Sequence, residues 1–393
     1  MIPDFVNRYL MKRGHVAELS PEKCGNYFQQ AVVIPAMAES RYLPATIKSL
    51  TENCELMIQK TLFIAVVNCP PDASAEIFQD NLDTVEFLKK QNLRNLFYIN
   101  TVIDGGVGGA RKLGMDTALN ILDWNSEPLL FCLDADTLTE PEYLEKVRFA
   151  MLAHPQWSGA VVNFSHQLPD NAELSEVVAA YEFFMRYYVA GLRWAGSPYA
   201  FYSLGSATIC RASAYVRCGG MRVRNGGEDF YFAQALRKIG EIGFIDDTVI
   251  YPAGRISDRV DFGTGPKLNR LLNGEPLSFY NFQIFGELKK LLDLVAAVSP
   301  EALPTRLSAV LHSETVEFMR LQNFFTAWPK ILHNTPPGDA NCRRAFHTWF
   351  DGFRTLKLIH HLERNVSEYH GININEAALA IDSASRIQTA KKL

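Results

Sequence analysis

The sequence has no long hydrophobic run. Its longest uncharged stretch worth testing as a bilayer span, Trp194 to Cys210, is interrupted by glycine, proline and serine. A membrane helix needs about 20 predominantly apolar residues in succession, so no transmembrane segment is expected. The opening residues, Met-Ile-Pro-Asp-Phe-Val-Asn-Arg-Tyr-Leu, lack the apolar core of a secretory signal, and the expected location is cytoplasmic. Cysteine is scarce and scattered, seven in 393 residues with no C-x-x-C pair, which excludes a disulfide framework or a zinc ribbon. Cys132 and Cys210 sit inside apolar runs and read as small buried hydrophobes in a reducing compartment. An excess of one charge is also missing. Lys and Arg total 39 against 43 acidic residues, a net charge of −4, so nucleic acid and anionic lipid are not expected as main partners. The nine histidines show no metal-ligand spacing, and His360-His361 is expected on a helix surface. There is no G-x-S-x-G elbow, no G-x-x-x-x-G-K-[ST] loop and no repeat, which removes serine hydrolases, P-loop kinases and solenoids.

What remains is 48% hydrophobic and 21% charged, the composition of a folded globular enzyme with one large domain or two moderate ones. Ala31–Pro35, Thr61–Val67, Leu96–Asn100 and Leu129–Leu133 are short apolar runs closed by loop residues, the pattern of buried strands. Helical patterns fall between them, at about Pro44–Asn53, Asn81–Gln91 and Ala110–Ile121. This alternation predicts an α/β fold with a mostly parallel sheet flanked by helices. The loops at Pro35, Asn68, Asp104 and Asp134 should then meet on the carboxyl edge, where such sheets bind ligands. Further along, Glu173–Trp194 and Glu228–Ile239 read as helices, and Tyr202–Arg211 and Gly243–Tyr251 as strands. From about Lys267 helical patterns dominate. The expected domains are a lead-in over 1–29, an α/β domain over 30–266 and a helical region over 267–393.

Four motifs carry chemistry. Asp134-Ala-Asp136 follows the strand Leu-Leu-Phe-Cys-Leu. Two carboxylates so close repel unless a counter-charge is supplied, and hard oxygen ligands suit Mg²⁺ or Mn²⁺. Gly105-Gly-Val-Gly-Gly109-Ala-Arg111-Lys112 combines glycines, a following helix N-terminus and two cations; it reads as a phosphate cradle or as a glycine-rich turn with a solvated basic residue. Gly-Gly227-Glu228-Asp229 leads two acids into a helix, either as caps or with one of them as a general base. Arg255 and Arg259, beside Gly263-Thr-Gly265, make either an anion clamp or a salt-bridge loop with Asp258 and Asp261. The aromatics of Glu173–Trp194 form either core or a cradle for an acceptor.

Taken in order, these segments resemble the family 2 glycosyltransferases of the GT-A fold, soluble bacterial type, from about Gln30 to Pro252. Val-Ile-Pro35-Ala-Met-Ala-Glu39 is similar to the family's opening strand with its acidic nucleotide contact. Gly-Gly109-Ala-Arg111-Lys-Leu-Gly114 is similar to the segment before the metal motif. Leu-Asp134-Ala-Asp136-Thr-Leu-Thr-Glu-Pro141 resembles the D-x-D region. Arg211 to Gly220 and Gly227-Glu228-Asp229-Phe resemble the segment ending in the catalytic E-D pair. The resemblance implies a metal-dependent, inverting transfer of one sugar from a nucleotide-diphosphate sugar to the hydroxyl of a saccharide or lipid-linked acceptor. It implies Asp136, with Asp134, at the Mn²⁺ or Mg²⁺ ion. Pro35, Glu39, Asn68, Asp72, Gly109, Arg111, Asp134, Arg255 and Arg259 would serve the donor, and Asp229 with Glu228 the catalysis. Asn68-Cys-Pro-Pro-Asp72 stands where the family usually has aspartates, and the Q-x-x-R-W motif of processive members is missing. The alternatives are a nucleotidyltransferase on a related sheet and a non-catalytic sugar-nucleotide-binding protein. The former would carry its glycine-rich loop directly after the first strand, where this chain has Pro-Ala-Met-Ala-Glu39.

Overall fold

Strands with no polar face are satisfied only between two covering layers, and the first two strands obey this throughout. In β1 (Gln30–Ala36) and β2 (Thr61–Cys69) every residue is buried. β3 (Leu96–Val102) is less covered, and β4 (Leu129–Cys132) is fully buried. With β5 (Thr137–Thr139), β6 (Trp157–Phe164), β7 (Thr208–Arg211) and β8 (Glu241–Pro252) they form one eight-stranded sheet, ordered β3-β2-β1-β4-β7-β6-β8-β5. The computed structural model describes residues 1–19, 28–223, 226–256 and 263–390.

The expected parallel sheet holds for β3, β2, β1 and β4, where Val32 lies opposite Phe63 on one side and Phe131 on the other. Beyond β4 the sheet is mixed. β7 runs antiparallel to both β4 and β6, with Ile209 opposite Phe131 and Ala160. β8 is parallel to β6 and antiparallel to the short β5. The helix Gly106–Leu119 lies on β1 and β2. Gly114 permits that approach, because a Cβ there would stand 2.4 Å from Val33 Cγ1 and 3.0 Å from Val66 Cγ2.

These elements belong to a compact unit made of Met1–Ala179 and Ser203–Asn273. Its lead-in is a helix, Asp4–Arg13, fastened by the fully buried Asp116. Asp116 accepts from the hydroxyls of Tyr9 and Tyr215 at 2.8 and 2.7 Å, from the His15 amide at 2.8 Å and from Lys112 Nζ at 2.7 Å. A buried carboxylate with this many donors is compensated. Lys112, expected as mobile charge for a phosphate, is therefore committed to Asp116.

The second unit, Ala180–Tyr202 with Gly274–Leu393, is helical. Its core holds Trp328, Phe324, Phe346 and Phe350 together with Tyr187, Phe279 and Phe285. Phe183, Phe184 and Tyr188 pack against that core, so the aromatic stripe is core. His360 meets the Tyr280 hydroxyl at 2.8 Å and His361 pairs with Glu314 at 3.0 Å; neither is placed with a metal-binding cluster among the described residues. No helix among those residues is long and apolar enough to cross a membrane.

Candidate active site

At Leu133 the chain leaves the sheet, its amide still bonded to Val33. It then turns, with Thr137 N donating to Asp134 O at 3.1 Å. The turn is held from outside. Thr46 Oγ1 donates to Ala135 O at 2.8 Å and Gln167 Nε2 to Asp136 O at 3.0 Å. Beyond it, Glu140 accepts from Val249 N and Thr248 Oγ1, both at 3.1 Å, and from the Tyr251 hydroxyl at 3.2 Å, which ties the exit of the turn to β8. The two aspartates thus sit on a braced backbone at the carboxyl edge of β4.

One cavity of about 360 Å³ gathers the edge residues. Pro35 and Glu39 come from the end of β1 and the loop after it, and Asn68 from β2. Arg111 comes from the helix Gly106–Leu119, Asp134 and Asp136 from the turn. Glu228 and Asp229 come from the first turn of the helix Glu228–Ile239, and Arg255 from the exit of β8. Of the other expected residues, Asp72 is exposed and Gly109 is buried, and neither lines the cavity. Asp72 is carried outward by the Pro70-Pro71 turn that ends β2. The helix begins at Gly106 rather than Ala110, so Gly106 and Val107, not Gly109, face the cavity. Arg259, with Asp258 and Asp261, lies outside the described residues. Sequence reasoning missed His166, Leu204, Gly205 and Ser206 in the lining, as well as the supports Thr46 and Gln167. Gly205 makes room for Arg111, since a Cβ there would stand 2.2 Å from Nη2; no local sequence signal announces such a contact.

The aspartates find separate counter-charges. Arg111, 3% exposed, pairs through Nη2 with Asp134 and donates through Nη1 to Glu228 at 2.6 Å. Arg255 donates from Nε to Asp136 at 2.7 Å and from Nη2 to Glu39 at 2.5 Å, and its guanidinium lies 4.2 Å from the Tyr42 ring centre. Burial, with Glu228 and Asp134 adding repulsion, lifts the Asp229 carboxyl to about 7, against the pull of Arg111 and the Phe230 amide. Behind Arg111, burial pushes the Cys132 thiol up to about 12, which leaves it inert as a nucleophile.

Among the described residues, five carboxylates therefore share the cavity with two guanidiniums. Among the described residues no three Asp, Glu, His or Cys side chains are grouped to hold a metal by themselves. That fits an ion bound through one or two carboxylates and completed by substrate phosphates, which is how Mg²⁺ is commonly held. Asp136 and Asp134 are the carboxylates of the turn that could hold one.

Residues 31–215 match the family model for glycosyl transferase family 2. Over that stretch the chain is similar to this family. The glycosyltransferase segment spans β1 through β7 and stops short of the Glu228-Asp229 pair. Among solved structures the chain is similar to TarS 1-349 of S. aureus in complex with UDP-GlcNAc, at 13% identity and a TM-score of 0.42, covering 86% of this chain and 92% of that one. It is also similar to the mannosyltransferase PcManGT of Pyrobaculum calidifontis in complex with GDP-Man and Mn²⁺, at 14% identity and a TM-score of 0.42, covering 88% and 93%. No curated protein matches the chain in sequence.

Proposed function

We propose that this glycosyltransferase moves a single sugar from a nucleotide-diphosphate sugar to an acceptor hydroxyl, with inversion and with the help of a divalent ion. The observation that carries the reading is the presence of the Asp134-Ala-Asp136 turn and Asp229 in the lining of one cavity. The nucleotide lies toward Pro35, Glu39 and Asn68, at the ends of the parallel strands where such sheets receive ligands. Asp136 and Asp134 would hold Mn²⁺ or Mg²⁺, which would supply charge neutralisation for the leaving diphosphate. Asp229, ionised, takes the proton of the acceptor hydroxyl as that oxygen bonds to the anomeric carbon and the bond to the diphosphate breaks. A carboxyl raised to about 7 is a better base near neutral pH than an ordinary one. Arg255 adds positive charge beside the leaving group.

The test is Asp229→Asn. Transfer should be abolished, whereas the rise in melting temperature on adding the donor with Mn²⁺ should persist, because binding to the native state stabilises it. Full turnover by this variant would refute the base assignment.

A further inference from the structure

Among the described residues two arginines reach the carboxylates of the cavity, and their settings differ. The Arg255 side chain is 22% exposed and stacks over Tyr42. The Arg111 side chain is 3% exposed, and both of its terminal nitrogens are spent on carboxylates from two other elements. One is Asp134 in the turn after β4. The other is Glu228, itself 5% exposed, in the first turn of the helix that presents Asp229. The guanidinium is packed tightly against Gly205, where a Cβ would stand 2.2 Å from Nη2. Turning this side chain toward a phosphate would break two ion pairs and leave the buried Glu228 carboxylate without its guanidinium, which is costly for a buried charge.

We infer that Arg111 is a positioning residue: a buried fork that clips the Asp134-Ala-Asp136 turn to the helix carrying Asp229. This rests on the reading of Asp229 as base, and it gives Arg111 a different part from contact with the donor. A guanidinium suits the task because its N–H groups diverge at fixed angles in one plane, so two carboxylates bonded to it are held in one relative arrangement. An ammonium is a point charge and cannot fix both. The two elements come from distant parts of the chain, 23 and 117 positions from Arg111, and the reaction depends on their spacing. A misplacement of about 1 Å costs on the order of 10²-fold in rate.

The experiment measures donor turnover, as release of UDP or GDP from a panel of UDP- and GDP-hexoses with Mn²⁺, for the wild type, Arg111→Lys, Arg111→Met, Glu228→Gln and Arg111→Met combined with Glu228→Gln. We expect kcat to fall about 10²-fold in Arg111→Met and less in Arg111→Lys, with KM for the donor kept within about threefold, as for an interaction made only in the transition state. Adding Glu228→Gln to Arg111→Met should cost little more, because the clip is already open. Arg111→Lys keeps a charge in the slot and serves as the folded reference should Arg111→Met fail to fold. A rise in KM with kcat unchanged would make Arg111 a donor ligand and overturn the inference, and so would losses that multiply in the double variant. If the wild type itself releases no nucleotide from any donor, the sugar-transfer reading fails instead, which separates the two outcomes.

Discussion

Arg255 donates to Glu39 at 2.5 Å across 216 positions of sequence. The bond joins the exit of β8 to the exit of β1, and a second bond from the same guanidinium takes in Asp136 at 2.7 Å. The arginine therefore touches both the Glu39 side and the Asp136 side of the cavity. Arg255→Gln removes the charge and leaves Glu39, whose side chain is 7% exposed, facing Asp136 without it. Hydrogen bonds to charged groups contribute about 1.5–3 kcal/mol, so the donor KM should rise on the order of tenfold or more. Steady-state kinetics over a donor series checks this, and an unchanged KM would remove Arg255 from donor binding.

The carboxyl of Asp229 titrates at about 7, and only its ionised form accepts a proton. Turnover should therefore rise through neutral pH and fall about tenfold for each unit below the midpoint. Stability moves in the opposite direction. The folded-state value lies above that of an unfolded aspartate, about 3.9, so between those two values the folded chain binds more protons and loses stability as pH rises. Asp229→Asn removes this penalty. It should melt higher than the wild type at pH 8 and no differently below about pH 4; calorimetry at the two pH values decides it.

Much of this was legible because of where residues sit along the chain. β1 and β2 are buried on both faces, so Ala-Val-Val-Ile and Leu-Phe-Ile-Ala-Val-Val announce themselves without alternation. The helix Glu228–Ile239 has both boundaries in its sequence, two glycines before it and one after. β5 and β6 were missed for physical reasons. β5 is three residues that pair only with β8, and β6 contains Gly159 and Asn163, which weaken a strand signature. The helix Ala75–Lys89 begins six residues before the periodicity suggests, because Ser74 caps it through the Ile77 amide. In the site, the carboxylates could be read from motifs. Their partners could not, since the pairing of Arg111 with Asp134 and Glu228 exists only once the sheet brings three elements together.

The network on Asp116 predicts a stability effect far from the cavity. Tyr9→Phe leaves the carboxylate one donor short, which should cost about 1–3 kcal/mol. Asp116→Ala takes the acceptor from two tyrosine hydroxyls and the His15 amide and leaves Lys112 only the Tyr9 hydroxyl, and a loss nearer 3–5 kcal/mol is expected. Urea unfolding of the two variants should rank them in that order. Equal stability of both with the wild type would mean that the N-terminal helix is not fastened there.

Gly114 is a point of close approach between the helix Gly106–Leu119 and two strands. Gly114→Ala gains helix propensity, about 1 kcal/mol, yet its methyl would lie 2.4 Å from Val33 Cγ1. Overpacking of a filled core costs about 1–3 kcal/mol, and the valine belongs to a strand that cannot yield without moving its neighbours. The expected outcome is net destabilisation, read as a lower urea midpoint. Arg111 rides on the same helix, so a fall in turnover should accompany it.

The charges in the cavity set the last expectation. Among the described residues the lining carries five carboxylates against two guanidiniums, and a diphosphate entering such a field is repelled unless a cation comes with it. Chelation should therefore abolish turnover, with Mn²⁺ or Mg²⁺ restoring it. Asp136→Asn should weaken Mn²⁺ binding measured by the resonance of free ion, with nucleoside diphosphate present to complete the coordination. Both aspartates already hold guanidinium partners, so the ion must compete with Arg111 for Asp134 and with Arg255 for Asp136. Of the two, Arg255 is the more exposed and would be the easier to displace. Full activity in the chelated protein would mean that the two guanidiniums neutralise the leaving group unaided.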